Sequence, residues 1–253
     1  MIRVRGYAIE DLIGNITFAE MIWLLLKGEL PTRSEAYLLG CALVAAVDHG
    51  PHAPSIAIAR MAISSGVAIN NAVASGVNAL GDVHGGAGKQ AMDLYATVSE
   101  RSVQEGISVA SAADAEVAER LGRHELIAGF GHRFHPVGPR APRLLDIVDD
   151  AIRHSTVEGT VTATARAVGT SLNRKVGRHV PMNIDGATAV VYGELGFAPD
   201  LVRGLFILSR SVGIVAHSWE QSQEGVRVKG PVPKSVGYTY HGPLPRTLAE
   251  QRP

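Results

Sequence analysis

Several residues that can exchange protons lie beside glycine or proline, where a regular helix would break. His84 occurs in GDVHGGAG, His132 in GFGHR, Asp185 in PMNIDG and His49 in DHGP. Imidazole and carboxylate groups at such positions can act as general acids and bases toward a bound substrate. These four residues are therefore the first candidates for chemistry.

One arginine is a candidate for binding an anion. Arg210 lies in an otherwise apolar helical segment, FILSRSVGIVA. A guanidinium group in such a helix requires a partner, because an unpaired charge is costly away from water. The chain has 24 Lys and Arg residues and 24 Asp and Glu residues, so a bound anion must meet local charge. An anionic ligand at Arg210 fits this requirement.

Each candidate also has a structural explanation that the sequence leaves open. A single histidine near a helix end is commonly a capping or surface group. Asp185 stands where the N-cap residue of a helix would stand. The glycines around His84 fit a tight turn as well as a phosphate-binding loop, since a short glycine-rich loop is a weak phosphate signal.

Two further classes of function remain open. A metal-dependent hydrolase could use His49, His84 and His132, but the sequence has no His-x-x-x-His or Glu-x-x-His pair at helical spacing. We therefore predict no metal site. A non-catalytic protein that binds a ligand or acts as a regulatory subunit of a partner enzyme is the second open class.

Composition and the amino-terminal sequence bear on partners and location. The balanced charge produces no net field toward nucleic acid or an anionic membrane, and Cys41 is the only cysteine. The segment MIRVRGYAIEDL lacks the charged-then-apolar pattern of a signal peptide, and the apolar run 21–26 is too short to cross a bilayer. We expect a soluble cytoplasmic protein without nucleic-acid or membrane partners.

The elements that must position these residues are mostly helices, because apolar residues recur at helical spacing. Thr17-Phe-Ala-Glu20 reads as a capping box that opens a helix ending at Gly28. Small residues dominate from 55 to 80, which predicts two helices whose backbones nearly touch. The charged stretch 112–128 predicts no particular element, and the tail from Gly230 is predicted to be an extended arm. Further helices are predicted near residues 9–16, 34–48, 89–105, 142–154, 157–176 and 200–221, with another opening at Asp185.

Six motifs resemble, in order and with similar spacing, those of the citrate synthase superfamily. They are DHG, GDVHGGA, GFGHR, GPRA, NIDG and LSRSVGIVAH, and the likeness begins at RGYAIEDL and LLKGELPT. Within that superfamily the chain resembles short citryl-CoA lyases and the citryl-CoA lyase module of ATP-citrate lyase. The short length, HGGA, NIDG and the close spacing of His132 and Arg140 favour a lyase over a synthase.

This resemblance implies an all-α, citrate-synthase-like fold with a large and a small helical domain. The active site would lie in the cleft between them, at a homodimer interface. We expect residues 1–85 and 197–253 to form the large domain and 86–196 the small one. A coenzyme A thioester would be a substrate, and no tightly bound cofactor is implied.

The resemblance also implies roles for individual residues. Asp185 would be the base toward the methyl group of acetyl-CoA, His84 would hydrogen-bond the thioester oxygen, and His132 would exchange a proton with the ketone or hydroxyl oxygen. The oxaloacetate carboxylates would be bound by His49, Arg140 and Arg210, and coenzyme A would lie against the backbone of Gly129, Phe130 and Gly131.

The implied reaction is reversible retro-aldol cleavage of citryl-CoA, or a related 3-hydroxyacyl-CoA, to acetyl-CoA and oxaloacetate or a related oxo acid. A citrate or 2-methylcitrate synthase-like condensation of acyl-CoA with an oxo acid is the alternative. Two departures from the family pattern bear on the oxo acid. Gly230 stands where the family usually has an arginine before a proline, and Gly138 stands where an acidic residue usually precedes Pro139-Arg140.

Overall fold

The computed structural model describes residues 1–131, 138–228, 235–237, 239, 241–242 and 244. Within these residues a short antiparallel hairpin, β1 (Arg3–Val4) and β2 (Tyr7–Ala8), precedes a series of helices. The helices are α1 (Ile9–Leu12), α2 (Phe18–Lys27), α3 (Arg33–Ala46), α4 (Pro54–Ser64), α5 (Ile69–Asn78), α6 (Ala87–Glu105), α7 (Val109–Gly122), α8 (Arg140–Arg153), α9 (Thr160–Val176), α10 (Ile184–Glu194) and α11 (Pro199–Gln223). The prediction of a mainly helical chain is confirmed.

Local sequence signals fix the start and end of α2. The Thr17 hydroxyl accepts the N–H of Glu20, and the Glu20 carboxylate accepts the N–H of Thr17, which completes the predicted capping box. Gly28 ends the helix with a positive φ of 91°. The predicted beginning and end of this helix are therefore both confirmed.

The charged stretch 112–128 contains most of α7, for which the sequence predicted no element. Its buried face includes Ala112, Ala113 and Val117, but also Glu116, which is only 6% exposed. Glu116 is paired with Arg120 at 2.6 Å on its own helix. A carboxylate on the inner face weakens the apolar periodicity from which a helix is recognised, and this conceals α7 in the sequence.

The small residues between 55 and 80 belong to α4 and α5, which pack as closely as predicted. A Cβ atom added to Gly76 on α5 would lie 2.8 Å from the Ser55 carbonyl oxygen and 3.3 Å from the Ala59 Cβ. It would also lie 3.0 Å from the side chain of Ile214 on α11. These contacts leave no room for a side chain, so glycine allows three helices to meet.

The main hydrophobic core draws on most of the chain. Trp23 and Leu39, from α2 and α3, belong to the same buried cluster as Tyr95 on α6 and Tyr192 on α10. The Lys27 ammonium donates to the carbonyls that follow α10, at 2.9 and 2.6 Å. One core therefore joins residues from both predicted domains, and the division at 85/86 and 196/197 stays a prediction.

The helix α11 is long enough and apolar enough, by length and composition alone, to cross a membrane. An 18-residue window within it has a mean hydropathy of 1.2, and 39% of that window is buried inside the protein. The same helix carries Arg203, Arg210 and Glu220, and it packs against α3, α4, α5 and α6. These features are typical of the core helix of a globular protein. Most of the predicted arm from Gly230, including Gly230 itself, lies outside the described residues.

Candidate active site

His84 is held by the first turn of α4. Its Nε2 atom accepts a hydrogen bond from the backbone N–H of Ser55 at 3.2 Å and lies 3.0 Å from the Ser55 hydroxyl. Ser55 follows Pro54 at the start of the helix, so its N–H has no partner within α4. A backbone N–H can only donate, so Nε2 carries no proton and the proton of the neutral ring is on Nδ1. His84 is therefore arranged to donate from Nδ1.

The surroundings of His84 also keep its imidazole neutral. Burial lowers the pKa of His84 from its usual value of 6.5, and the positive charge of Arg210 lowers it further. The positive end of the α4 dipole acts in the same direction. A neutral imidazole can stabilise a developing enolate oxygen by a hydrogen bond without transferring a proton to it.

The glycines around His84 form a tight turn. The Gly81 N–H donates to the carbonyl of His84 at 2.9 Å, and Gly85 has a φ of 106°. A Cβ atom on Gly86 would lie 2.4 Å from the carbonyl oxygen of Asp82. The turn accounts for these glycines without a bound phosphate, and it brings the His84 ring to the start of α4.

Asp185 is the second residue of α10, and it is not the residue that caps this helix. The side-chain oxygen of Asn183 accepts the N–H of Gly186 at 3.1 Å, so Asn183 is the N-cap. Asp185 is half-buried, and its negative charge favours the charged form of Arg210. The capping role that the sequence left open for Asp185 therefore belongs to Asn183.

The backbone of Gly129, Phe130 and Gly131 pairs with the segment just before α10. The Asn183 N–H donates to the Gly129 carbonyl at 2.9 Å, and the Gly131 N–H donates to the Pro181 carbonyl at 2.8 Å. The Asn183 side chain donates to the Gly131 carbonyl at 2.9 Å. These bonds tie the predicted coenzyme A segment to the helix that carries Asp185.

Close packing explains the first glycine of this segment. Gly129 has a φ of 84°, and a Cβ atom there would lie 2.9 Å from both the Ala91 Cβ and the Gly186 Cα. The Phe130 ring packs against α9, where a Cβ on Gly169 would come within 2.9 Å of it. Contact of these residues with coenzyme A stays a prediction, since several of their backbone groups already have partners in the protein.

Arg140 connects the start of α8 to the end of α3. Its Nη1 donates to the carbonyls of Ala45 at 3.1 Å and Asp48 at 3.0 Å, and its Nη2 lies 2.9 Å from Nδ1 of His49. A guanidinium group only donates, so this nitrogen of His49 is the acceptor. The structure thus brings His49 and Arg140 into direct contact.

Arg210 is bound to the same helix end. It is 4% exposed, its Nε donates to the Ala46 carbonyl at 3.1 Å, and its guanidinium stacks on Phe206 at 4.8 Å. The last turn of α3 presents carbonyls without helical partners, and arginines from α8 and α11 satisfy them. Both predicted carboxylate-binding arginines are therefore oriented by α3.

Electrostatic interactions place most of the predicted site around Arg210. Burial lowers the pKa of the Arg210 guanidinium, the carboxylates of Asp185 and Asp48 raise it, and Arg140 lowers it. Arg210 in turn lowers the pKa of His84. The structure therefore brings together a neutral histidine, a carboxylate and two arginines, which is a suitable set for an anionic substrate that must lose or gain a proton at carbon.

Two predicted features cannot be placed. His132 directly follows the anchored Gly131, but it lies outside the described residues, as does Gly230.

Among the residues that the structure describes, no group of three His, Cys, Asp or Glu side chains could hold a metal ion. The prediction of no metal site stays a prediction.

A groove of about 970 Å³ runs beside α3 and meets the predicted site at one residue. Its lining is mostly apolar and includes Tyr37, Gly40, Cys41, Val44 and Leu144, with Arg140 at one side. Neither His84 nor Asp185 lines it. Arg140 is therefore the only predicted site residue that this groove reaches among the described residues.

Sequence reasoning missed two residues that hold the site. Ser55 was considered only as one of many small residues, although Pro54 before it signals a helix start with free N–H groups. His217 was recognised as part of a motif but was given no role. Its Nε2 lies 3.2 Å from the Asp48 carboxylate, beside the loop that carries His49.

The chain belongs to the citrate synthase family. The family model described as "Citrate synthase, C-terminal domain" matches residues 33–229. The predicted all-α, citrate-synthase-like fold is confirmed by this match and by similar solved structures.

Among solved structures, citryl-CoA lyase from Hydrogenobacter thermophilus is similar with a TM-score of 0.83 and 35% identity, covering 98% of this chain and 92% of that one. ATP citrate lyase from Methanothrix soehngenii, solved with citrate and coenzyme A, has a TM-score of 0.78 and 21% identity, covering 94% of this chain and 39% of that one. At this lower identity the likeness concerns the fold alone.

Curated relatives include citrate synthase from Haloferax volcanii, which is 28% identical over 79% of this chain and 50% of its own length. Citrate synthase 2 from Bacillus subtilis is 28% identical over 80% of this chain and 52% of its own length. The chain thus spans about half the length of the curated relatives it matches.

Proposed function

We propose that this protein is a carbon–carbon lyase of the citryl-CoA lyase type. It would cleave citryl-CoA, or a related 3-hydroxyacyl-CoA, reversibly to acetyl-CoA and oxaloacetate or a related oxo acid. The observation that carries the proposal is the 35% identity to the Hydrogenobacter lyase, in an alignment that includes 92% of that enzyme's chain.

In the cleavage direction, His132 would take the proton from the tertiary hydroxyl of citryl-CoA. The bond between the hydroxyl-bearing carbon and the methylene carbon beside the thioester then breaks, the ketone of oxaloacetate forms, and the electron pair passes to the thioester enolate. Asp185, in its protonated form, would deliver a proton to the methylene carbon to give acetyl-CoA. In the condensation direction Asp185 would remove the same proton.

The enolate oxygen needs a hydrogen-bond donor, since a carboxylate with an ordinary pKa near 3.9 is too weak a base to form an enolate unaided. The Nδ1–H of His84 is the donor that we assign to it. The removal of one such donor typically raises the barrier by about 3–4 kcal/mol. The burial of His84 and its bond from the Ser55 N–H support this role.

The carboxylates of the oxo acid would bind to His49, Arg140 and Arg210. The geometry supports this assignment because His49 and Arg140 are in contact and both arginines are oriented by the carbonyls of α3. Coenzyme A would lie beside Gly129, Phe130 and Gly131 and would be a substrate, with no tightly bound cofactor.

We further propose that the protein is a homodimer in the cytoplasm, without nucleic-acid or membrane partners. A stripe of apolar side chains on α11 supports the dimer: Leu208, Val212, Val215 and Trp219 are 44%, 58%, 44% and 60% exposed. An exposed apolar surface of this kind commonly marks a subunit interface.

The second candidate is a synthase that condenses an acyl-CoA with an oxo acid and then hydrolyses the thioester. The curated citrate synthases and the Mycobacterium tuberculosis 2-methylcitrate synthase, which is 27% identical over 80% of this chain, favour it. The two candidates share the carbon–carbon step and differ in whether free coenzyme A is released.

The experiment that separates them follows coenzyme A species by mass spectrometry. The purified protein is incubated with citryl-CoA, and separately with acetyl-CoA and a panel of oxo acids. Acetyl-CoA and oxaloacetate formed from citryl-CoA without free coenzyme A would support the lyase. Free coenzyme A that appears only with a particular oxo acid would favour the synthase. If His84→Ala and Asp185→Asn left every assayed coenzyme A reaction unchanged, the result would favour a binding subunit.

A further inference from the structure

One face of α11 lies against the loop that carries His49. Arg210, Gly213 and His217 share this face, because they are three and seven residues apart on the helix. A Cβ on Gly213 would lie 2.4 Å from the Val47 carbonyl oxygen, so the helix and the loop are in close contact there. One turn further along α11, Nε2 of His217 lies 3.2 Å from Oδ1 of Asp48.

The Asp48 carboxylate organises this loop. Burial by itself would raise the pKa of Asp48, but hydrogen bonds from the His49 N–H, the His217 ring and the Gly50 N–H together hold it below the usual value of 3.8. Asp48 is therefore ionised near neutral pH. Its carboxylate fixes the two residues that follow it, one of which is His49.

The His217 ring is held on one side, by the Asp48 carboxylate. An ionised carboxylate only accepts, so Nε2 of His217 must carry a proton and donate to Asp48. The other ring nitrogen, Nδ1, lies 3.6 Å from the Glu220 carboxylate, which is itself paired with Arg60 at 2.6 Å. The His217 side chain is 17% exposed and that of Asp48 is 41% exposed.

The loop that Asp48 organises meets Arg140 at two points. The Asp48 carbonyl accepts from Nη1 of Arg140 at 3.0 Å, and Nδ1 of His49 accepts from Nη2 at 2.9 Å. A change in the loop would therefore move both the His49 imidazole and the Arg140 guanidinium. The contact of His217 with this loop is the one to the Asp48 carboxylate, so we assign its effect on both groups to Asp48.

We propose that His217 is a positioning residue for carboxylate recognition, acting through Asp48 on His49 and Arg140. The inference rests on the proposed function for its kinetic consequence, and on the structure alone for its effect on the loop. The His217 imidazole would therefore contribute to binding of the oxo-acid portion of the substrate. The carbon–carbon step itself would not depend on it.

The kinetic test compares His217→Leu, which removes the donor, with His217→Gln, whose Nε2 can donate to Asp48 from a similar position. His154→Leu is the matched control, because His154 is an exposed histidine at the end of α8. We expect His217→Leu to raise KM for the oxo acid about tenfold, as expected for a lost hydrogen bond to a charged group, with kcat and KM for acetyl-CoA changed less than about threefold. His217→Gln should recover most of the loss.

A double-mutant cycle tests whether the effect passes through the loop. In a His49→Ala background, the effect of His217→Leu on KM for the oxo acid should shrink to about threefold or less, because the group that His217 positions has been removed. Equal effects in both backgrounds would overturn the proposal. A lower melting temperature and kcat with unchanged KM would do the same, since they would indicate a packing role.

Hydrogen exchange tests the positioning role of His217 without any turnover of substrate. The amides of His49 and Gly50 donate to the Asp48 carboxylate, so they should exchange faster in His217→Leu and at the wild-type rate in His217→Gln, while α11 stays protected. If the wild-type protein turned over no substrate, the proposed function would fail, and this measurement would still decide the positioning role. Unchanged exchange in His217→Leu would overturn it.

Discussion

The backbone N–H of Ser55 donates to Nε2 of His84 at 3.2 Å, across 29 positions of sequence. This bond assigns the imidazole proton to Nδ1 and therefore decides which ring nitrogen can act on a substrate. A helix start thus selects the tautomer of the predicted enolate-stabilising histidine.

The tautomer can be tested by substitution at His84. In His84→Asn the amide nitrogen lies near the position of Nδ1, whereas in His84→Gln it lies nearer the position of Nε2. We expect His84→Ala and His84→Gln to reduce kcat by about 10²–10³, as for the loss of an oxyanion donor, and His84→Asn to lose about tenfold less. Steady-state kinetics of citryl-CoA cleavage provide the measurement. Equal losses in Asn and Gln variants would contradict the assignment.

The lowered pKa of His84 predicts a pH dependence of stability. The folded protein holds this group neutral below its usual pKa of 6.5, so the unfolded chain binds more protons. The contribution of His84 is complete above pH 6.5 and is lost as the pH falls toward the lowered folded value. Urea unfolding between about pH 5 and 7.5 should show a shallower loss of stability for His84→Asn than for the wild type. A steeper loss in the variant would contradict the direction of the shift.

Asp185 and Asn183 should separate activity from helix stability. Asn183→Ala removes the N-cap of α10 and should lower the free energy of unfolding by about 1 kcal/mol. Asp185→Asn leaves that cap in place and should reduce kcat by about 10²–10⁴, the usual range for a lost acid or base. Urea unfolding and turnover of both variants give the comparison. An Asp185→Asn protein with normal kcat would remove Asp185 from the mechanism.

The coenzyme A segment offers a matched pair of glycines. Gly129 and Gly131 both have positive φ angles, of 84° and 81°. An added Cβ would meet Ala91 and Gly186 at 2.9 Å in Gly129→Ala, whereas in Gly131→Ala its nearest contact among the described residues is Val180 at 3.7 Å. Gly131→Ala should cost about 1–2 kcal/mol from backbone strain, and Gly129→Ala about 1–3 kcal/mol more from overpacking. Equal unfolding free energies would show that the close packing at Gly129 relaxes freely.

The apolar stripe on α11 predicts which surface joins the two subunits of a homodimer. Val212→Glu places a charge within the stripe and should shift the protein toward monomer in sedimentation velocity experiments, because a buried unpaired charge is costly. Val103→Glu is the control, since Val103 is 83% exposed near the C-terminal end of α6 and is not part of the stripe. A monomeric wild-type protein, or a dimer unaffected by Val212→Glu, would contradict the proposed interface.

The sequence by itself determined the helices whose signals are local. The Thr17 and Glu20 capping box, the positive φ at Gly28 and the small residues around Gly76 depend on near neighbours or on a size limit, and each has the predicted structure. The ordered motifs around His84, Asp185 and Arg210 likewise identified the family, because a set of spaced residues is far more specific than any one of them. The helix α7 was missed because buried Glu116 interrupts its apolar face.

Only the tertiary structure decided how the site residues are held. Ser55 reaches His84 and His217 reaches Asp48, each across a contact between separate elements. Hydrogen bonds of this kind depend on how helices pack, and neither periodicity nor composition encodes that packing. The sequence therefore determined which side chains were available for chemistry, and the packing of α3, α4, α10 and α11 decided their tautomers, partners and charges.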